Sequence, residues 1–121
     1  MSATALPDQL SETARAFASR PHGMFIGGEE VDAADGATFE TIDPATGNVI
    51  TTVAQGGAQD VDRAVKAARA AFEQGAPWRT MTPGDRGRAI TRLALLVEEH
   101  ADELAELESL DNGKPLKFAR Y

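Results

Sequence analysis

The sequence predicts an α/β chain in which a small β-hairpin region is followed by three to four helices. Three observations carry this expectation. Strand-forming residues and turn chemistry concentrate between residues 24 and 54. Apolar residues then recur at helical spacing from Val61 to Leu110. Glycine or proline marks each change of period.

The first element is a short amphipathic helix. In DQLSETARAFAS, residues 8–19, Leu10, Ala14 and Phe17 fall on one side, and Pro21-His22-Gly23 ends the run. Residues 1–23 are expected to be a leader outside the main fold. MFIGGEEV at 24–31 sets Gly27-Gly28 between two short runs. Glycine accepts the positive φ of a two-residue hairpin turn, so a tight hairpin is expected here. Asp35-Gly36 marks another turn.

ATFETIDPATGNVITTVA at 37–54 has the strongest β character. Phe39, Thr41 and Ile42 are strand formers, and Val49, Thr51 and Val53 alternate with Ile50 and Thr52. Between them, Asp43-Pro44 and Thr46-Gly47-Asn48 supply turn chemistry. A hairpin or meander is expected over residues 24–54.

QDVDRAVKAARAAFEQ at 59–74 repeats Val61, Ala64, Val65, Ala68, Ala71 and Phe72 with a helical period. Asp60 and Asp62 lie in its first turn, where the helix dipole favours negative charge. Asp62 and Lys66 are spaced for an i,i+4 ion pair, and Gly75 and Pro77 are expected to stop the helix. The next helix opens on Thr82 as cap, with Pro83 first inside it. Asp85 stands where a capping box usually has Glu or Gln. Ile90, Leu93, Ala94, Val97 and Ala101 form its apolar stripe. A further helix over about 102–111 carries Leu104, Leu107 and Leu110, with Gly113 suited to a left-handed cap. Pro115 suits the first turn of another helix.

Composition bounds the function. The chain has 121 residues, 42% hydrophobic and 26% charged, which is globular rather than disordered. Aromatic residues are only 6%, and alanine fills much of the apolar content. A core of methyl groups buries little area, so the helices are expected to pack on something larger. The net charge of −7 opposes binding to nucleic acid or to an anionic membrane. With no cysteine, the chain has neither disulfide, thiolate metal ligand nor cysteine nucleophile. No apolar run approaches the ~20 residues that span a bilayer. The N-terminus lacks the basic start and apolar stretch of a signal peptide, and Asp8 and Glu12 argue against a mitochondrial presequence. Cytoplasm is the expected location.

Few residues suggest chemistry. Gly27-Gly28 and Gly56-Gly57 lack the spacing of a dinucleotide or Walker loop and read as turns. His22 and His100 stand without a second histidine at ligand spacing, so His100 reads as an exposed helical residue. The acids of EEHADELAELE flank a leucine stripe and read as a solvated face. Asp111, before Asn112-Gly113-Lys114, is open to two readings. Its carboxylate can close a local turn, or it can meet a cation together with carbonyl oxygens of another loop.

Three segments in order resemble one family. TFETIDPATGNVITTVAQG, DVDRAVKAARAAFEQGAPWR and RGRAITRLALLVEEHADELAELESLDNGKP are similar to the N-terminal part of the NAD(P)-dependent aldehyde dehydrogenase superfamily, over residues 24–118. The leader ending RPHGMFIGG resembles bacterial phenylacetaldehyde-type members. The resemblance implies that residues 24–121 are the incomplete N-terminal part of a Rossmann-like cofactor domain, cut where the next helix starts. It implies NAD or NADP in the complete enzyme, an aldehyde substrate, attack by a cysteine thiolate, and a homo-oligomeric assembly. None of the family's catalytic or cofactor residues falls in this segment. One feature does: a monovalent-cation site (Na⁺ or K⁺), whose ligands correspond to the backbone carbonyls of Thr41 and Ile42 and the carboxylate of Asp111. A further ligand lies downstream. Asp43-Pro44 stands where many relatives have Asn-Pro. The competing expectation is a non-catalytic module that associates with a full-length subunit.

Overall fold

A computed structural model describes residues 6–120. Its elements run α1 (Glu12–Ala18), β1 (Met24–Ile26), β2 (Glu29–Val31), β3 (Thr38–Ile42), β4 (Val49–Ala54), α2 (Ala58–Ala70), α3 (Pro77–Thr80), α4 (Pro83–Glu99), α5 (Ala101–Asn112) and α6 (Leu116–Ala119). The chain is α/β as expected; among the described residues α1 precedes the hairpins and five helices follow them, where three to four were expected.

The β region is two antiparallel hairpins. β1 pairs with β2 in the register Met24↔Val31 and Ile26↔Glu29. Gly27 and Gly28 close it at φ 67° and 93°, the left-handed backbone that a primed turn demands. β3 pairs with β4 from Thr38↔Ala54 to Ile42↔Val49. His22 joins the two hairpins: its N–H donates to Thr52 O at 3.0 Å and its carbonyl accepts from Ala54 N at 2.8 Å.

The helices begin and end on local chemistry. Thr82 Oγ1 accepts the Asp85 N–H at 3.2 Å and donates to the Asp85 carboxylate at 2.6 Å, which caps α4. Gly113 closes α5 at φ 75°, ψ 12°. Asp60, third in α2, accepts from Gly57 N at 3.0 Å and from Ala34 N at 3.1 Å. One carboxylate thus caps α2 and anchors the loop after β2. The expected Asp62–Lys66 pair is absent from the ion pairs of the described residues; Arg63 pairs with Asp60 at 3.2 Å instead.

Four further expectations change. Residues around α1 dock on the fold rather than lying outside it. Ala18 is buried with Ile50 and Leu110, flanked by Leu6, Leu10 and Leu107. α2 ends at Ala70, four residues before Gln74, and Gly75 follows at φ 95°. Pro77 starts α3 instead of only stopping α2, because its fixed φ is pre-set for a first helical position. Pro115 stands one place before α6, as its cap.

The core is small. Buried apolar residues are Ala14, Ala18, Ala33, Ile50, Ala105 and Leu110. By contrast Val61, Val65 and Phe72 of the α2 segment are exposed, as are Ile90, Leu93 and Val97 of α4. α4 also exposes Leu95, on the side away from that stripe. A helix apolar on more than one side is built for burial on more than one side. No helix among the described residues is long and apolar enough to cross a membrane.

Candidate functional site

α1, both hairpins and α5 border an open cavity of about 440 Å³. Phe17, Phe25, Ile50, Val53, Leu107 and Leu110 supply its apolar wall. Thr41 and Asp111 also line it, although 70 residues of chain separate them.

β3 delivers Thr41 through an irregularity. Thr41 faces Thr51 and Ile42 faces Val49, so β4 carries one extra residue, Ile50, at this point. Ile50 is 5% exposed and belongs to the core. Burying its side chain while the strand continues produces the bulge. A bulge disrupts the hydrogen-bond ladder locally and re-aims the backbone beside it. The disruption falls at Thr41 and Ile42, the two residues whose carbonyls the family resemblance singles out. The Ile42 side chain is 51% exposed and is not part of the cavity wall.

α5 delivers Asp111 from its last turn. Its carboxylate has neither a hydrogen bond nor an ion pair among the described residues, so the local-turn reading of Asp111 finds no partner. Asn112 makes that contact instead: its Oδ1 accepts from Lys114 N at 2.8 Å. Asp111 is exposed, so water can solvate its carboxylate at the mouth of the cavity.

Asp43 is 6% exposed and its carboxylate is already engaged. Oδ1 accepts from Ala45 N at 2.8 Å and Oδ2 from the Thr46 hydroxyl at 2.7 Å. Asp43 therefore acts inside its own turn.

The opposite rim is polar. Arg20 donates to both carboxylate oxygens of Glu30, at 2.8 and 3.0 Å, and Gly23 N donates to Glu30 Oε1 at 2.8 Å. The Arg20 hydrogen bond, with the Gly23 N–H behind it, holds the Glu30 carboxyl below its ordinary range. His22 Nε2 lies 3.0 Å from Phe17 O. A carbonyl only accepts, so Nε2 is the donor. This cluster was not read from the sequence; its members are ten residues apart and only the hairpin brings them together. His100, at the α4–α5 junction, places Nδ1 3.1 Å from Glu103 Oε2. Among the described residues no group of three or more His, Cys, Asp or Glu side chains is placed to hold a metal ion.

Comparison with known proteins gives a consistent result. The Aldehyde dehydrogenase family profile matches residues 31–121. The mitochondrial aldehyde dehydrogenase of Equus caballus is 58% identical over 92 residues, covering 76% of this chain and 18% of its own length. Aldehyde dehydrogenase 1 of Tanacetum cinerariifolium is 54% identical over 98 residues, covering 81% of this chain and 19% of its own. The NAD⁺ complex of an aldehyde dehydrogenase from Bacillus cereus superposes with a TM-score of 0.88 at 50% identity, over 92% of this chain and 22% of that one. The chain thus spans about a fifth of the length of the proteins it matches.

Proposed function

Because the chain belongs to the aldehyde dehydrogenase family and matches the N-terminal part of its members, we propose that it is the N-terminal portion of an enzyme that oxidises an aldehyde to a carboxylic acid with NAD or NADP. The observation that carries this is the joint likeness in sequence and fold to an aldehyde dehydrogenase solved with NAD⁺. In this reading residues 24–121 are the incomplete beginning of a cofactor domain. The complete enzyme is a cytoplasmic homo-oligomer.

The chemistry belongs to residues outside this chain. Thiohemiacetal formation needs a thiolate, and there is no cysteine here. What this portion contributes is wall and support. The exposed stripes of α2 and α4 are covered by the remainder of the dehydrogenase, which accounts for their apolar character.

The Thr41, Ile42 and Asp111 group fits a monovalent cation. Hard oxygen donors suit such an ion. The reading draws on the bulge beside Thr41 and Ile42 and on the cavity wall that Thr41 shares with the exposed Asp111. The bound ion neutralises that carboxylate and joins hairpin to helix.

Two measurements test this. NADH formation on addition of aldehydes is expected from the full-length enzyme and not from the 121-residue chain. Turnover by the cysteine-free chain overturns the division of labour. Saturable stabilisation by Na⁺ or K⁺ is expected in the full-length enzyme and is abolished in Asp111→Asn. An Asp111→Asn enzyme with unchanged cation response removes Asp111 from the site.

A further inference from the structure

The two edges of the β3–β4 hairpin are not equivalent. Gln55 N–H donates to the Ala37 carbonyl at 2.8 Å, so Ala37 turns toward β4. Backbone groups alternate along an antiparallel strand, so Phe39 and Thr41 also turn toward β4, while Thr38 and Glu40 turn away. By the same alternation Thr52 and Ala54 turn away from β3. His22 pairs with both of them, which closes the outer edge of β4. The outer edge of β3 is open: the N–H and C=O groups of Thr38 and Glu40 have no backbone partner among the described residues.

The strand is built for pairing at that edge. Neither proline nor lysine, which blunt natural strand edges, occurs in Thr38–Ile42. Side chains alternate between the faces of a strand, so Phe39 and Ile42 fall on opposite faces, and both are exposed. Apolar side chains on both faces suit a strand inside a sheet rather than at its margin. A two-stranded ribbon is also marginal by itself, and a third strand is what stabilises it.

Charge selects the occupant. Glu40 is the middle residue of β3 and makes no ion pair among the described residues. A second copy of β3 laid antiparallel in full register would set Glu40 against Glu40, and like charges directly opposite destabilise a sheet. The enzyme's own polypeptide carries no such bar, and most of it lies outside this chain, which spans about a fifth of the length of the proteins it matches.

We infer that the outer edge of β3 is completed by an extended segment of the same subunit, from the polypeptide that follows residue 121, with a lysine or arginine opposite Glu40. The backbone of that segment takes the open N–H and C=O groups of Thr38 and Glu40 and makes β3 an interior strand. The inference rests on the reading of this chain as the N-terminal portion of a dehydrogenase.

The test uses the full-length enzyme. Amide exchange resolved to single residues compares Thr38 and Glu40 with Phe39 and Thr41, whose N–H groups already face β4. A ladder hydrogen bond opens only with its element, so Thr38 and Glu40 are expected to exchange at least about a hundredfold more slowly than in an unstructured peptide. Glu40→p-benzoylphenylalanine then identifies the neighbour on irradiation, because side chains directly opposite in a sheet lie about 5 Å apart. A cross-link to a residue beyond 121, at the mass of one subunit, is expected.

Exchange of Thr38 and Glu40 at the unstructured rate overturns the inference, since the edge is then solvated. A cross-link at the mass of two subunits, or one confined to residues 1–121, overturns it as well. Should the substituted enzyme not fold, exchange in the unsubstituted enzyme decides. A full-length protein that forms no NADH with aldehydes overturns the dehydrogenase reading instead, a separate outcome on which the exchange of Thr38 and Glu40 does not depend.

Discussion

Ser11 binds Glu106 twice. Its backbone N–H donates to Glu106 Oε2 at 2.9 Å and its hydroxyl donates to the same oxygen at 2.6 Å, across 95 residues of sequence. Ser11 also caps α1, its Oγ accepting the Ala14 N–H at 3.3 Å. The start of α1 is thereby fixed to the middle of α5.

Glu106→Ala is expected to release that end. It leaves the Ser11 groups without their charged acceptor, at a cost of about 1–3 kcal/mol. Hydrogen exchange over residues 11–19 is the measurement. Protection should fall there while that of β3 and β4 is retained; unchanged protection of α1 contradicts the latch.

Glu106 and Asp60 are two of the carboxylates through which acid weakens the fold. The Ser11 hydroxyl, then the Ser11 N–H, hold the Glu106 carboxyl below its ordinary value. Asp60 is likewise lowered, chiefly by the Gly57 N–H. A carboxyl lowered by folding stabilises the folded chain above its ordinary pKa, about 4, and loses that contribution as pH falls through the lower folded value. Asp60→Asn is therefore expected to be less stable than the unsubstituted chain at pH 7, with the gap closing below about pH 4. Denaturant titrations at both pH values show this, and a gap independent of pH would count against it.

Leu110 and Leu95 offer a contrast in burial. Leu110 is 6% exposed and packs with Ala18 and Ile50, while Leu95 is 59% exposed. Leu110→Ala should cost about 2–3 kcal/mol, toward the lower end of the usual range because a cavity already adjoins it. Leu95→Ala should change the stability of the 121-residue chain by less than about 0.5 kcal/mol. Equal effects in equilibrium unfolding would mean that the small core is misplaced.

Glycine position decides the sign of an alanine substitution. At Gly28 an added Cβ meets nothing within 4 Å, but φ is 93°. The penalty is conformational, about 1–2 kcal/mol. Gly87 lies inside α4 with open space around a new Cβ. Gly87→Ala should stabilise the chain by about 0.5–1 kcal/mol. Denaturation midpoints that move in the same direction would refute the pair.

Much of this fold is legible in the sequence because it is locally specified. The hairpin at Gly27-Gly28, the cap at Thr82 and the left-handed stop at Gly113 each depend on a residue and its own neighbours. α3 was missed because proline both ends and begins helices, and spacing alone does not choose between them. The Asp62–Lys66 pair failed for a related reason. Surface ion pairs contribute little, and nothing local compels one to form.

The candidate site divides in the same way. Asp111 beside an Asn-Gly turn stands out in the sequence, and so do the turn residues Asp43 and Pro44. That Asn112 takes the turn contact, leaving Asp111 unpartnered, is visible only once the side chains have settled. The slip that buries Ile50 and opens the ladder at Thr41 and Ile42 follows from packing against Ala18 and Leu110, which lie on other elements.

The sequence by itself determined the order of hairpins and helices, the absence of a thiol and the family. Backbone preference, side-chain period and residue identity are properties of neighbours along the chain. Tertiary structure alone decided that α1 is latched to α5, that Asp111 shares a cavity with Thr41, and that His22 pairs with β4. Those pairings join residues tens of positions apart, and only the free energy of burying them together selects one partner over another.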